Sequence, residues 1–378
     1  MVCCCCSIFY AGQSDSLNRV KIRIYSAKKM QSFFIKSNAP ITIYIDSTKV
    51  PITVSNSVLC EYLNPDSFRV LEGNQVIKLK YCEFKSDSLL VTGLTDLPKK
   101  LRRYEGFISC AVKKDSLMLL NILPMERYIA GVTEAEGGKH CHSEFYKVQS
   151  VLARTYLLSH WFKHALQNFQ LCDQEHCQVY YGKPQNKNVG LATEATQGQV
   201  LVDENERLIV SAFHSNSGGQ TANSEDVWGG KTSYLKSVTD SFSMGMPSYY
   251  WQKKISKQDW LRYLKEQHRL TVLDHEVFES CNWEMQQRQS HITIKGVSIS
   301  TRQLRKDFKL RSTFFSSNLN SKNELVFNGR GFGHGVGLSQ EGAMKMAQNG
   351  FNYKTIVHHY FQNVKMLPFK MLVNKNEN

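Results

Sequence analysis

Two thiols and an imidazole fall within six residues in Cys172-Asp173-Gln174-Glu175-His176-Cys177, a short way after His160 and His164. Two thiolates and two imidazoles close a tetrahedral zinc site. With four protein ligands no position remains for water, so such a metal is structural. His164 reaches the cluster from one turn of helix and His160 is its rival. The same residues also suit a Cys172–Cys177 disulfide or a pair of free thiols. A second concentration is the glycine-dense run Gly329-Arg330-Gly331-Phe332-Gly333-His334-Gly335-Val336-Gly337. It has neither the Gly-Lys-Ser/Thr of a phosphate loop nor the strand and helix context of a dinucleotide fingerprint. It reads instead as a backbone bare enough for a bulky ligand to approach His334. Ser215 and Ser217 stand beside His214, yet no Gly-x-Ser-x-Gly elbow exists to expose a nucleophile. Glu136 is the most interesting acid. Packed against the start of the apolar helix that follows it, its carboxyl would keep its proton through desolvation and serve as a general acid. The plainer alternative is a helix-entry carboxylate stabilised by the N-terminal dipole.

These groups need elements to hold them. Residues 18–120 alternate apolar and polar in short runs, as in Val20-Lys21-Ile22-Arg23-Ile24-Tyr25, the period of half-buried strands. Beyond Leu123-Pro124 the texture changes. The spacing predicts a helix from Ser143 to about Gln167, with Glu136 on a short loop before it. Strand character returns over 199–213, followed by a polar turn at His214 to Gly219. Residues 252–320 differ again: a basic helix at Lys257 to Gln267, a strand at His291 to Ile294 and a helix at Thr301 to Lys306. The end of the chain gives a strand from Leu325, the glycine loop, and a helix from Ser339 to about Gln348. The expected fold is α+β, β-rich, with a long central helix and five segments. These are an N-terminal Cys-rich tail or truncated export signal (1–17), a β-rich region (18–120), a first core part (121–250), a small inserted subdomain (251–320) and a second core part (321–378).

The chain has 378 residues, 42% of them apolar, and a formal charge of +14. That composition excludes collagen-like, coiled-coil and wholly disordered proteins. The positive balance favours a polyanionic partner. Because the basic residues are scattered and lack aromatic-interleaved modules, no nucleic-acid partner is expected. Eleven widely spaced cysteines do not form a small disulfide framework. Four of them, Cys3 to Cys6, lie in an apolar stretch that ends in small residues. It resembles an export signal without its basic start.

Four ordered blocks make the chain resemble the stage II sporulation protein D family of bacterial peptidoglycan lytic transglycosylases. The first runs from Leu123-Pro124-Met125-Glu126-Arg127-Tyr128 through Gly131-Val132-Thr133-Glu134-Ala135-Glu136 to Lys147-Val148-Gln149-Ser150-Val151-Leu152-Ala153-Arg154-Thr155-Tyr156. Cys177-Gln178-Val179-Tyr180 is the second. The third is Phe213-His214-Ser215-Asn216-Ser217-Gly218-Gly219 with Asp226-Val227-Trp228-Gly229, and the fourth is the glycine loop with Leu338-Ser339-Gln340. The match covers roughly residues 105–370.

The resemblance implies that Glu136 is the catalytic acid. It implies that His214, Ser215, Ser217, His334 and Gln340, with Arg154 and Tyr156 from the first block, contact the substrate. It also implies a zinc at Cys172, His176 and Cys177, with His164 as fourth ligand, and no cofactor for the chemistry itself. The expected reaction cleaves the β-1,4 bond between N-acetylmuramic acid and N-acetylglucosamine in glycan strands stripped of stem peptides. Glu136 acts first as acid and then as base, leaving a 1,6-anhydro end. A non-catalytic glycan-binding scaffold, or a partner that enhances a wall amidase, is the alternative. Expected partners are peptidoglycan strands, a cell-wall amidase and division proteins. The expected site is extracytoplasmic, with membrane association only through the N-terminal segment. Two departures stand out: Gly137-Gly138 replace the usual Met-Pro after the acid, and Glu341 replaces an aromatic after Ser339-Gln340.

Overall fold

A computed structural model describes residues 19–45, 51–93 and 101–374. The N-terminal Cys-rich segment therefore lies outside the described residues. The fold is mixed α+β, with 29% of residues in helices and 35% in strands. The chain forms two compact units. Unit 1 runs to Val202 and includes Glu206–Val210 and the chain from Met366. Unit 2 holds Asp203–Asn205 and Ser211–Lys365.

Alternation in the N-terminal sequence becomes two sheets in unit 1. Strand Arg19–Ile24 buries every second residue, and its neighbour Ser116–Pro124 pairs with it antiparallel. Among the described residues these belong to a seven-stranded sheet that also contains Phe107–Lys113, Tyr81–Lys85 and the short strand Leu171–Cys172. A six-stranded sheet is built on Ser32–Ser37 and Ser57–Asn64. Both sheets bury their apolar residues in one core, where Phe33 of one meets Phe84 of the other edge-on at 6.3 Å. Their period of two explains why this region was legible from sequence.

Unit 1 also contains α1 (Met125–Gly137), α2 (Ser143–Ser159), α3 (Lys187–Ala195) and a short helix at Phe369–Asn374; the first three pack together. They approach closely through small polar residues. The Thr133 and Ser150 hydroxyls lie 3.1 Å apart and those of Ser150 and Thr193 3.0 Å apart, which links all three helices. The α2 helix ends eight residues before the sequence expectation. In its last turn the Ser159 hydroxyl and the His160 ring both bond to the Tyr156 carbonyl, side-chain bonds that compete with helix continuation. The α1 helix corrects the loop expected before α2. Tyr128 through Thr133 are buried without a break, while Glu126, Arg127, Glu134 and Glu136 are half-buried or exposed.

Unit 2 contains α4 (Ser224–Trp228), α5 (Lys257–His268), α6 (Val277–Cys281), α7 (Thr301–Asp307), α8 (Gln340–Gln348) and α9 (Tyr353–Tyr360). Residues Trp251 to Phe327 share an apolar core centred on the fully buried Trp260. A three-stranded antiparallel sheet, Tyr250–Ser256, Glu324–Arg330 and Phe315–Leu319, forms one wall of it. The basic helix, the strand and the short helix expected over 252–320 correspond to α5, His291–Ile294 and α7.

Candidate functional site

Glu136 sits in the last turn of α1, one residue before its end. This reverses the dipole reading, because the C-terminal end of a helix carries the partial negative charge and disfavours a carboxylate. Glu136 is half-buried. Its pKa lies above the ordinary glutamate range, first through burial and further through the nearby charge of Glu175, while a backbone hydrogen bond from Val179 opposes the rise. That bond, from the Val179 N–H to Oε1, measures 2.8 Å.

The donor is held rigidly. On either side of Val179, Gln178 and Tyr180 are buried. The Tyr180 hydroxyl donates to Asn121 Oδ1 at 2.7 Å, and its ring lies between those of Tyr104 and Tyr128. Gly131 lets this segment reach α1: a Cβ there would stand 2.3 Å from the Gly182 carbonyl and 2.5 Å from the Tyr180 ring. Nothing in the sequence pattern linked Val179 to Glu136, 43 residues apart.

The expected metal set converges. One donor atom from each of His164, Cys172, His176 and Cys177 lies within 4.8 Å of the others. His164 Nε2 is 3.4 Å from Cys177 Sγ, and His176 Nδ1 is 3.5 Å from the same sulfur and 3.8 Å from that of Cys172. His160 drops out of the set, since its Nδ1 faces Ser159 and the Tyr156 carbonyl. Both cysteines are free thiols. The hydrogen bond between them lowers the pKa of Cys172 and raises that of Cys177, so one thiolate is already favoured. Two sulfurs and two imidazoles at this spacing fit a structural zinc.

Arg154 and Tyr156 have other surroundings than those expected of sugar-binding groups. Arg154 is fully buried. Its Nε and one terminal nitrogen donate to both oxygens of Glu126 at 2.8 and 2.6 Å, and the other terminal nitrogen donates to the Gln199 carbonyl at 2.9 Å. It ties α2 to α1 and to the strand after α3, out of reach of a ligand. Tyr156 is half-buried, stacks on His160 at 4.1 Å and accepts from Lys163 Nζ at 3.2 Å.

The remaining expected residues all belong to unit 2. Phe213–His214 pairs in parallel with Leu338–Ser339, and bridges join Asn216 to Phe332 and Ala222 to Val336. This lacing brings the His214 and His334 rings to 5.5 Å and sets the exposed Trp228 ring 5.2 Å from His334. The His214 Nδ1–H donates to the Val336 carbonyl at 3.2 Å, which leaves Nε2 as the bare acceptor, buried and without a hydrogen-bond partner among the described residues. Burial, then the charges of neighbouring arginines, holds His334 down to about 4, and burial likewise keeps His214 well below its usual range. Both rings are therefore neutral at physiological pH.

Other expectations need correction. Ser217 is fully buried, with its hydroxyl 2.7 Å from Asp240 and 2.8 Å from Ser243, so it braces the turn instead of facing a ligand. The space left by the glycine loop is filled by protein. Gly333 has φ +113, and a Cβ there would meet His214 Cβ at 2.7 Å. Ser215 and Gln340 are half-buried, Ser215 Oγ bonding to Ser248 at 3.4 Å and Gln340 opening α8. Sequence reading missed Arg288, whose guanidinium donates to the Ser217 and Gln220 carbonyls, both at 2.6 Å. No charge pattern marks it in the sequence. Glu341, which stands in the usual aromatic position, accepts from Asn216 Nδ2 at 2.7 Å and from the Ser248 N–H.

Comparison with known proteins agrees with the first two of the four blocks. The family model described as "Stage II sporulation protein" matches residues 113–202, which hold α1, α2, α3 and the thiol–imidazole cluster. The stage II sporulation protein D of Bacillus amyloliquefaciens is 28% identical over 277 residues, 69% of this chain and 79% of the relative. That of Bacillus subtilis strain 168 is 28% identical over 285 residues, 71% and 81% respectively.

The chain is similar to the stage II sporulation protein D family, most specifically over residues 113–202.

A further relative is the amidase enhancer of Bacillus subtilis strain 168, 25% identical over 270 residues, 58% of this chain and 37% of that protein. These likenesses support a cell-wall related role. Glu136 and the thiol–imidazole cluster both lie inside the segment matched by the family model.

Proposed function

We propose that the protein is a lytic transglycosylase of peptidoglycan, with Glu136 as its acid and base. The observation that carries this reading is the environment of Glu136. Burial and the helix end favour its protonated form, and the fixed Val179 N–H steadies the carboxylate once the proton has gone. A protonated Glu136 donates to the glycosidic oxygen between N-acetylmuramic acid and N-acetylglucosamine. The carboxylate then takes the proton of the sugar's C6 hydroxyl, whose oxygen closes on C1 to give the 1,6-anhydro ring. One residue serves both steps, and no water is consumed. The His214 acceptor and the Trp228 ring in unit 2, with Ser215 and Gln340, are proposed to bind glycan. His334 supports that cluster from behind, with Nδ1 accepting from the Val336 N–H at 3.0 Å.

A zinc held by His164, Cys172, His176 and Cys177 would brace the turn that leads directly into Gln178 and Val179, and so the donor to Glu136. The chemistry itself needs no cofactor. An extracytoplasmic location follows from the substrate. The likeness to an amidase enhancer supports a second reading, in which the protein binds glycan and assists a cell-wall amidase without cutting strands itself. Analysis of strand ends after incubation with wild type and Glu136→Gln separates the two: anhydro ends dependent on Glu136 support the enzyme, and binding without cleavage supports the assisting role.

A further inference from the structure

Among the described residues, four arginines surround the glycine loop of unit 2 and none takes part in an ion pair: Arg288, Arg305, Arg311 and Arg330. The acidic side chains near them are engaged elsewhere. Asp240 bonds to Ser217 and Tyr360, Glu341 to Asn216 and Ser248, Asp307 to Tyr263 and Gln303, and Glu225 to Lys236. Cations left without a counterion in partly buried surroundings are unfavourable. Burial and the charges of Arg305 and Arg330 push the Arg288 guanidinium down to about 9.

The arginines are not equivalent. Each guanidinium nitrogen of Arg288 donates, to the Gln220 and Ser217 carbonyls and to Thr313 Oγ1, and the group lies close to the loop, where a Cβ on Gly335 would meet it at 2.8 Å. Arg330 donates to the Met285 and Gln286 carbonyls and covers the Phe314 ring. Arg305 is different. It is half-buried, and its one hydrogen bond among the described residues is a long one, from Nε to the Leu310 carbonyl at 3.4 Å, which leaves both terminal nitrogens for a ligand. On the same face of α7, one turn back, Arg302 donates to the Val227 carbonyl at 2.7 Å and fastens α7 to α4 beside Trp228.

We propose that Arg305, with Arg288 reinforcing its charge, forms a carboxylate-binding subsite next to the His214, His334 and Trp228 cluster, and that it takes the acidic side group of an amino sugar. The proposal deepens the glycan-acting reading and rests on it for the identity of the sugar. Three complementary features suit such a ligand. The exposed indole offers a face for a pyranose ring. The bare His214 Nε2 accepts from an N–H or O–H, where the buried lone pair otherwise goes unmatched. A guanidinium fork matches a carboxylate with two parallel hydrogen bonds.

The test uses the full chain, with titration calorimetry against four probes: N-acetylmuramic acid, its lactyl methylamide, N-acetylglucosamine, and muramic acid carrying a short peptide with a free carboxylate. Wild type is expected to bind N-acetylmuramic acid about tenfold more tightly than the methylamide or N-acetylglucosamine, a difference of about 1.4 kcal/mol. Arg305→Gln should erase that ratio while keeping the weaker binding to the neutral sugars, and Arg305→Lys should restore part of it. Tight binding of the peptide-bearing probe as well would keep the subsite and make a stem-peptide carboxylate an alternative source of the anion. Equal affinity for acid and methylamide, or a ratio untouched in Arg305→Gln, overturns the proposal. If the selectivity holds but no glycan is cut, the transglycosylase reading fails and the subsite stands.

Discussion

Arg154 offers the sharpest contrast between a ligand-binding residue and a buried brace. Arg154→Met keeps the apolar length of the side chain and removes the charge. It deletes two charge-assisted bonds to Glu126 and one donor to the Gln199 carbonyl. Removing one partner of a buried pair costs about 3–5 kcal/mol, because the remaining charge is left in a poor medium. Here the survivor is Glu126, whose side chain is 24% exposed and can recruit water, so the lower end, about 3 kcal/mol, is expected. For a unit of this size that lowers the melting temperature by roughly 6–12 °C. Glu126→Gln should be worse, since it strands a guanidinium with no exposure at all. In the double variant the two losses should fall short of their sum by about 2–3 kcal/mol. Calorimetric melts of the four proteins measure this cycle, and glycan binding measured well below each melting point should stay within about twofold of wild type, a change of about 0.4 kcal/mol. An unchanged melting temperature in Arg154→Met together with lost glycan binding would refute the structural role and return Arg154 to the substrate.

Other outcomes follow from the same geometry. Cleavage requires protonated Glu136, so the rate should fall as pH rises through its raised pKa. Glu175→Gln removes a charge that lifts that pKa, and should move the fall to lower pH; a pH–rate profile that stays put contradicts the coupling. Because the folded pKa is raised, this carboxyl stabilises the fold below its unfolded pKa and loses that contribution as pH rises through the folded value. Denaturant unfolding should therefore find Glu136→Gln more stable than wild type near pH 8 but not near pH 3. Elemental analysis of purified protein should find about one zinc per chain, lost in Cys177→Ser and retained in His160→Ala. Gly131→Ala should cost about 1–3 kcal/mol through overpacking against Tyr180 and Gly182, and should slow cleavage about tenfold or more, since the displaced segment carries the Val179 donor.

Much of this molecule was legible in the sequence where the chemistry is local. The strands of unit 1 announce themselves by alternation, and the thiol–imidazole set by four residues within fourteen positions. Glu136 was identified as an acid, yet the segment that carries it was read as a loop, so its place in the last turn of α1 was not foreseen. The roles of Arg154 and Ser217 were misjudged for a related reason. A motif marks a residue without saying which way it faces, and both turn inward to carboxylate partners, Glu126 and Asp240. Arg288 and Arg305 lie on a loop and a short helix far along the chain from the histidines. Only the tertiary lacing of 213–222 with 332–339 reveals that these cations lack counterions.

The central claim is tested most directly by mass spectrometry of denuded and peptide-bearing glycan strands after incubation with the wild-type protein and with Glu136→Gln. The account predicts 1,6-anhydro-muramic ends from the wild type and none from the variant, with denaturant unfolding of Glu136→Gln as the check that its fold is intact. Reducing ends would contradict it and point to hydrolysis with a second carboxylate, for which Glu175, whose charge bears on Glu136, is a candidate. Uncut strands bound equally by both proteins would contradict it as well, and would leave a glycan-binding partner of a wall amidase.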